Sequence, residues 1–262
     1  MAVTFTGSEL AVVGVVVLVG GLVTGVTGFG YAVFATATLA SLFEPQTAVV
    51  LVIIPIVAAN VSLVRELDRS GLRSCARRFW PFVMAAALGT VLGMLLLTRV
   101  PTAPLSVLLG VLTLGYVLVA QPWVTLPGEE RLAAVCFVET PAATVGLGFL
   151  SGAVFGGTNV GVQVVAYLES LDLDHATFVG VVAMIFLGVG TIRIATAWAL
   201  GLYGSTGLVA VSAAAAVPGL VGVSLGRRLR PLISVAHRTA AVYVLLGVIG
   251  LRLLTVGLGI GP

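Results

Sequence analysis

Chemistry in this sequence is confined to a few polar residues set among glycines. The stretch Gly21 to Tyr31 reads GLVTGVTGFGY, and its spacing returns in GFLSGAVFGG. There Gly148, Gly152 and Gly157 fall on Gly21, Gly25 and Gly30, and Ser151 falls on Thr24. Each copy lies in an apolar run without a charge and precedes a helix that reads too short to cross a bilayer. A helix that starts in mid-membrane offers unpaired backbone N–H groups and the positive end of its dipole, which together make an anion site from backbone alone. The first break, Gly28-Phe29-Gly30, leads to the N–H groups of Gly30, Tyr31 and Ala32. The second, at Gly156-Gly157, leads to those of Thr158, Asn159 and Val160. Thr27, Thr158 and Asn159 add side-chain donors, and Gln163 lies one helical turn beyond Asn159 on the same face. The competing reading of the glycines is tight helix packing with no ligand.

Arg193 is the sharpest single residue, because it lies inside an apolar helix expected at about Ala176 to Leu200. A charge in hydrocarbon costs about 2.5–3.5 kcal/mol on insertion scales, so it faces a partner or a wet cavity. Arg193 is read as a fixed positive charge for an anion, against the alternatives of snorkelling to the interface or a structural pair. Its repeat mate Arg65 reads as an interfacial anchor, Asn60 as a weaker cavity residue, and Glu139 as a weak candidate for coupling. No catalytic set appears. His175 and His237 lie at loop ends away from membrane serines, which argues against an intramembrane Ser–His hydrolase. Neither a metal site nor a cofactor is expected.

The elements that must position these residues follow from composition. Apolar residues make up 59% of the 262-residue chain and charged ones 9%, with a mean hydropathy of +1.19; a soluble domain carries about 25% charged residues. Runs of 18 or more residues without a charge read as transmembrane helices. All thirteen basic residues are arginine, and most fall in two clusters, Arg65 to Arg78 and Arg227 to Arg238. Such clusters mark cytoplasmic connections and exclude nucleic acid as a partner. Cys75 and Cys136 form no disulfide or zinc pattern. The N-terminal apolar run lacks a basic flank and exceeds a signal-peptide core, so it reads as a retained helix.

In chain order, Gly28-Phe29-Gly30 splits the block from Ser8 to Phe43 into helices of roughly 19 and 14 residues, the second covering about 21 Å. A third helix runs from Thr47 to about Val64 with a kink at Pro55. A fourth is expected at about Phe79 to Thr98 and a fifth at about Pro104 to Ala120. After a linker at 121–131 the order repeats: about Leu132 to Ala153, the second break, a short helix to about Leu171, then Ala176–Leu200, Ser205–Leu225 and Thr239–Val256. Gly89-x-x-x-Gly93 and Gly222-x-x-x-Gly226 occupy the fourth helix of each half, where small residues let backbones approach. The expected fold is therefore all-α and integral to the membrane. Transmembrane repeats 1–120 and 132–262, of about five helical segments each, open on a broken or re-entrant short helix. An odd number of segments inverts one repeat against the other and, with both basic clusters cytoplasmic, places both termini outside the cell membrane.

The ordered set of G-x-x-[ST]-G-x-x-x-x-G breaks, the Gly89/Gly93 and Gly222/Gly226 helices, the basic connections and the overall length resembles the TauE/SafE sulfite exporter family over nearly the whole chain. The breaks read GVTGFGYA and FGGTNVGVQ where the family's commoner form is GxGGG. The resemblance implies transport of sulfite, sulfoacetate or another organosulfonate. The expectation is a secondary transporter of a small sulfur-containing oxyanion by alternating access, not an enzyme. A proton or Na+ as coupling ion and a homodimeric assembly stay open, as do an anion channel, a non-transporting membrane subunit and a carboxylate cargo.

Overall fold

The computed structural model describes residues 5–66, 69–119, 141–161, 164, 168, 175–204, 206–232 and 235–260, and all regular structure among them is helical. A reciprocal cap opens α1 (Gly7–Thr27): the Glu9 N–H donates to Thr6 Oγ1 at 3.3 Å, and Glu9 Oε2 accepts from the Thr6 N–H at 2.7 Å. Gly28 ends the helix at φ 93°, in the left-handed region that glycine enters without strain. The helix α2 (Tyr31–Ala40) has 10 residues, about 15 Å against a hydrocarbon core of about 30 Å. Pro45 stands at the first position of α3 (Pro45–Leu51), where its missing N–H costs nothing. Then follow α4 (Ile53–Leu63), α5 (Arg69–Leu97), α6 (Thr102–Val119), α7 (Pro141–Thr158), α8 (His175–Ala199), α9 (Thr206–Leu229) and α10 (Val235–Gly257). Among the described residues five helical stretches are long and apolar enough to cross a bilayer: Gly7–Thr27, Pro45–Leu63, Cys75–Leu97, Thr177–Ala199 and Thr206–Leu232. The protein is a multi-pass membrane protein.

Several boundaries differ from the sequence expectation. The helix α5 begins at Arg69 rather than near Phe79, so Arg73, Arg77 and Arg78 stand exposed on its first turns and not in a loop. Arginine is a good helix former, and hydropathy marks where lipid ends, not where the helix does. The helix α7 runs through Gly156 and Gly157 to Thr158, which moves the second break one turn on, to residues 159–161. The linker at 121–131 lies outside the described residues. Between α3 and α4 the helix is interrupted at Val52. Pro55 has no N–H for the Leu51 carbonyl, and Ser212 Oγ of α9 donates to that oxygen instead, at 2.6 Å.

The halves are interlocked through glycines. The first helix α1 packs on α9, α5 packs on α7, α6 on α10, and α4 lies against both α8 and α9 while α8 also meets α5. At the α1–α9 crossing a Cβ on Gly21 would strike the Gly219 carbonyl, and one on Gly25 the Val223 carbonyl. In return, Gly222 faces the Leu18 carbonyl and Gly226 that of Leu22. The α7–α5 crossing repeats the arrangement: Gly152 faces the Ala86 carbonyl, Gly156 that of Thr90, Gly89 that of Phe149, and Gly93 that of Ala153. Backbone thus lies on backbone at both crossings, the contact that drives helix association where lipid is as apolar as the helix surface.

These contacts also correct the pairing of the two copies. Gly21 and Gly25 correspond to Gly152 and Gly156, one turn beyond the Gly148 and Gly152 that the sequence pattern selects. Gly148, Gly152 and Gly156 form a ladder of four-residue steps, so a shift of one turn lays glycine on glycine and the pattern alone does not choose.

Gly222→Ala is expected to destabilise the fold by about 2 kcal/mol through overpacking. Gly247→Ala, where a Cβ meets nothing within 4 Å, is expected to be neutral or to stabilise by up to about 1 kcal/mol. Thermal unfolding in detergent measures both, and equal effects would remove the crossing as the cause. Ser212→Ala orphans the Leu51 carbonyl and is expected to cost about 1–3 kcal/mol in the same assay.

Candidate functional site

The two interruptions share one local design. In the first, Thr27 Oγ1 lies within hydrogen-bond distance of the Val23 carbonyl one turn back (2.9 Å) and of the Phe29 carbonyl (2.7 Å). Phe29 N–H reaches the same hydroxyl at 3.4 Å, and Thr24 Oγ1 also bonds the Phe29 carbonyl, at 3.1 Å. In the second, Thr158 Oγ1 donates to the Val154 carbonyl one turn back (2.6 Å), and Val160 N–H reaches it at 3.1 Å. The next residue in each case is left-handed: Gly28 at φ 93° and Asn159 at φ 62°, the one non-glycine residue with positive φ among those described. Thr27-Gly28-Phe29-Gly30 therefore corresponds to Thr158-Asn159-Val160-Gly161. A threonine hydroxyl in each takes over the backbone bonding that the chain gives up when the helix stops.

Both interruptions face α8. A Cβ on Gly28 would meet the Val179 side chain and one on Gly161 the Phe186 ring; the Phe29 ring stands edge-on to Phe178, centroids 6.2 Å apart. Val179 and Phe186 are seven positions apart, about 10 Å along the helix. The helix α2 starts at the first break, its first bond running from Phe34 N–H to the Gly30 carbonyl at 3.0 Å. The N–H groups of Gly30, Tyr31 and Ala32 have no acceptor among the described residues. At the second break the expectation of free N–H groups fails: Asn159 N–H bonds the Phe155 carbonyl at 2.9 Å and Val160 N–H is held by Thr158. Because α7 runs one turn longer than its glycines suggest, these groups belong to its C-terminal cap.

That C-terminus holds Arg193. The guanidinium is 1% exposed; Nη1 donates to Asn159 Oδ1 and Nη2 to the Gly156 carbonyl at 3.2 Å. Its Cζ lies 4.9 Å from the Phe155 ring centre, and Phe155 stacks on Phe186 at 4.7 Å. The last carbonyls of a helix lack intrahelical partners and carry the negative end of its dipole, so the cation is set where backbone electrostatics favour it. Snorkelling is excluded, since Arg193 is among the largest fully buried side chains. Asn159, also fully buried, ties this corner to the first half: its Nδ2 donates to Thr36 Oγ1 of α2 at 2.7 Å and to the Val49 carbonyl of α3 at 2.9 Å. Arg193 makes no ion pair with a described carboxylate, and its Nε has no acceptor.

The remaining sequence candidates fall differently. Gly156 and Gly157 belong to the last turn of α7, where Gly156 contributes only its carbonyl. Tyr31 is buried, with its hydroxyl against Gly219 of α9 rather than in the break. Asn60 is buried and bonds the Ile56 carbonyl in its own helix at 2.9 Å, apart from the Arg193 network. Arg65 is exposed. Gln163 and Glu139 lie outside the described residues. Thr36, Phe155 and Phe186 had no signal in the sequence: each is an ordinary apolar-helix residue until the fold places it beside Asn159 or Arg193.

The arrangement is thus a buried cation at the second helix interruption, with no carboxylate beside it among the described residues, a setting that suits an anion. The family description of sulfite exporters, TauE/SafE, matches residues 12–253 of the chain. No curated protein and no solved structure matches it. With nearly its whole length covered, the chain belongs to the TauE/SafE sulfite exporter family of membrane transporters.

Proposed function

We propose that the protein is a secondary transporter that moves a small sulfur-containing oxyanion, sulfite or an organosulfonate such as sulfoacetate, by alternating access around the two helix interruptions. The observation that carries this reading is Arg193: a guanidinium 1% exposed with no described carboxylate beside it. The α7 dipole, Asn159 and Phe155 offset part of its desolvation, but the net positive charge stays. An anion arriving from water therefore meets a charge already desolvated and oriented, and the electrostatic gain is large where water is excluded. The N–H groups of Gly30, Tyr31 and Ala32 at the start of α2 supply a second electropositive element facing the same helix, α8.

Alternating access is favoured by the reciprocal packing. The first helix of each half crosses the fourth of the other through equivalent glycines, the fifth helices meet each other, and so do the third. Such exchange is what two repeats related by a twofold axis produce, and inverted repeats of this kind rock against each other around a site at the midplane. Arg73, Arg77 and Arg78 near the start of α5 and Arg227, Arg228 and Arg230 at the end of α9 form the basic ends that a cytoplasmic placement requires. In this reading both termini lie outside the cell membrane. The coupling ion in this reading is a proton or Na+.

Two outcomes test it in proteoliposomes. Arg193→Gln is expected to reduce saturable sulfite or sulfoacetate flux by tenfold or more, about 1.4 kcal/mol, and Asn159→Ala by a similar factor because it releases the guanidinium. Arg193→Lys keeps the charge without the planar fork that reaches both acceptors, and is expected to fall between Gln and wild type. Folded variants transporting at the wild-type rate would remove Arg193 from the site. A thermal shift by acetate equal to that by sulfite and sulfoacetate would move the cargo to carboxylates.

A further inference from the structure

Two buried donors without an acceptor lie toward the same end of α8: Arg193 Nε and Tyr203 Oη. The end of α8 explains how Tyr203 comes to be there. Gly201 adopts φ 65°, its N–H bonds the Trp198 carbonyl at 3.1 Å, and Leu202 N–H bonds the Ala197 carbonyl at 2.9 Å. This glycine-terminated cap turns the chain back on the helix. Tyr203 is thereby driven inward, 4% exposed, while Trp198 beside it is 64% exposed, their ring centres 6.5 Å apart. Tyr203 stands near enough to Arg193 to feel its charge. Burial raises the phenol above its ordinary pKa, and the guanidinium opposes this more weakly, so the group stays a neutral O–H donor through the neutral range.

A buried donor left unsatisfied costs about 1–3 kcal/mol. Both Nη groups of Arg193 are already committed to Asn159 and Gly156, which leaves its Nε and the Tyr203 hydroxyl without a partner among the described residues. We propose that Arg193 Nε and Tyr203 Oη form the seat of the transported anion, with Tyr203 its specificity-determining donor. The seat rests on the transport reading above and narrows it. Arg193 Nε can only donate, while the Tyr203 hydroxyl can donate or accept, so the seat favours ligands that turn an acceptor oxygen to the guanidinium, such as sulfonates and fully deprotonated sulfite. It disfavours ligands that bring an ammonium to that position, where it would meet the fixed positive charge.

The test measures KM for flux in proteoliposomes and the ligand-induced rise in melting temperature, with sulfite and sulfoacetate as probes. Tyr203→Phe keeps the ring and is expected to raise KM about tenfold, with the maximal rate within about twofold of wild type, as loss of one charge-assisted hydrogen bond implies. Tyr203→His returns a donor to the same turn and recovers part of the lost affinity; no recovery assigns the tyrosine a packing role and overturns the seat. In the wild-type protein, saturating sulfoacetate perturbs the tyrosine absorbance, and an unperturbed spectrum also overturns it. Wild-type KM in Tyr203→Phe, with flux lost in Arg193→Gln, refutes the seat and leaves the transport reading intact. Absence of saturable flux for any anion in the wild type removes that reading and the seat with it.

Discussion

Inside a bilayer no backbone N–H or C=O can turn to water, so every interruption of a helix must be made good by another part of the protein. This constraint organises the structure. Where Pro55 deprives the Leu51 carbonyl of its partner, Ser212 supplies one from α9. At the first break the hydroxyls of Thr24 and Thr27 converge on the Phe29 carbonyl. Where α7 stops, Thr158 holds the Val160 N–H and Arg193 holds the Gly156 carbonyl, while Asn159 reaches across to the Val49 carbonyl. Most of these repairs are made by hydroxyl groups, and the first N–H groups of α2 and the Nε of Arg193 are among the groups left without a partner in the described residues. Donors left open in this way suit a ligand rich in acceptors.

The two interruptions have one shape and two chemistries. Both place a threonine before a left-handed residue and a glycine two positions later, yet the left-handed residue is glycine in one and asparagine in the other. Gly28 gives the first break close contact with Val179 and nothing polar beyond the backbone. Asn159 costs some strain at φ 62° and in exchange joins α2, α3, α7 and α8 at one point. Divergence of this kind suits a pair of repeats in which one break carries the fixed charge and the other moves relative to it.

The helices and the first break were legible in the sequence because composition and glycine-proline punctuation act locally. Gly28 and Gly30 carry the positive φ that the motif implied. The second break was misplaced by one turn for a physical reason: Gly156 and Gly157 look like a hinge, yet Gly156 is there to let α7 touch the backbone of α5 at Thr90. Glycine in a membrane helix serves packing and bending alike, and the sequence does not say which. Asn159 reads as a donor at the second break and Arg193 as a charge in lipid, but not as a pair, since what joins them is the burial of α8 against the end of α7. Thr36 and Tyr203 stayed invisible, because a lone threonine in a helix or a tyrosine after one has no distinguishing period or neighbour. What local chemistry decides could be read; what a crossing angle decides could not.

The choice of arginine at position 193 follows from the same accounting of donors. An ammonium would present three donors at one point and could not satisfy Asn159 Oδ1, the Gly156 carbonyl and the Phe155 face together. The guanidinium is planar and weakly hydrated, so it spends two nitrogens on the protein, lays its plane against an aromatic ring and keeps a third directed elsewhere. Three contacts, all from the C-terminal end of α7, hold it in place. In a transporter that is the useful property: a charge pinned to the end of α7 stays desolvated whether the site is filled or empty. In the transport reading proposed above, the species free to move is the anion and not the side chain, and the energy of bringing the charge into the membrane is met once, by the fold, rather than at each passage.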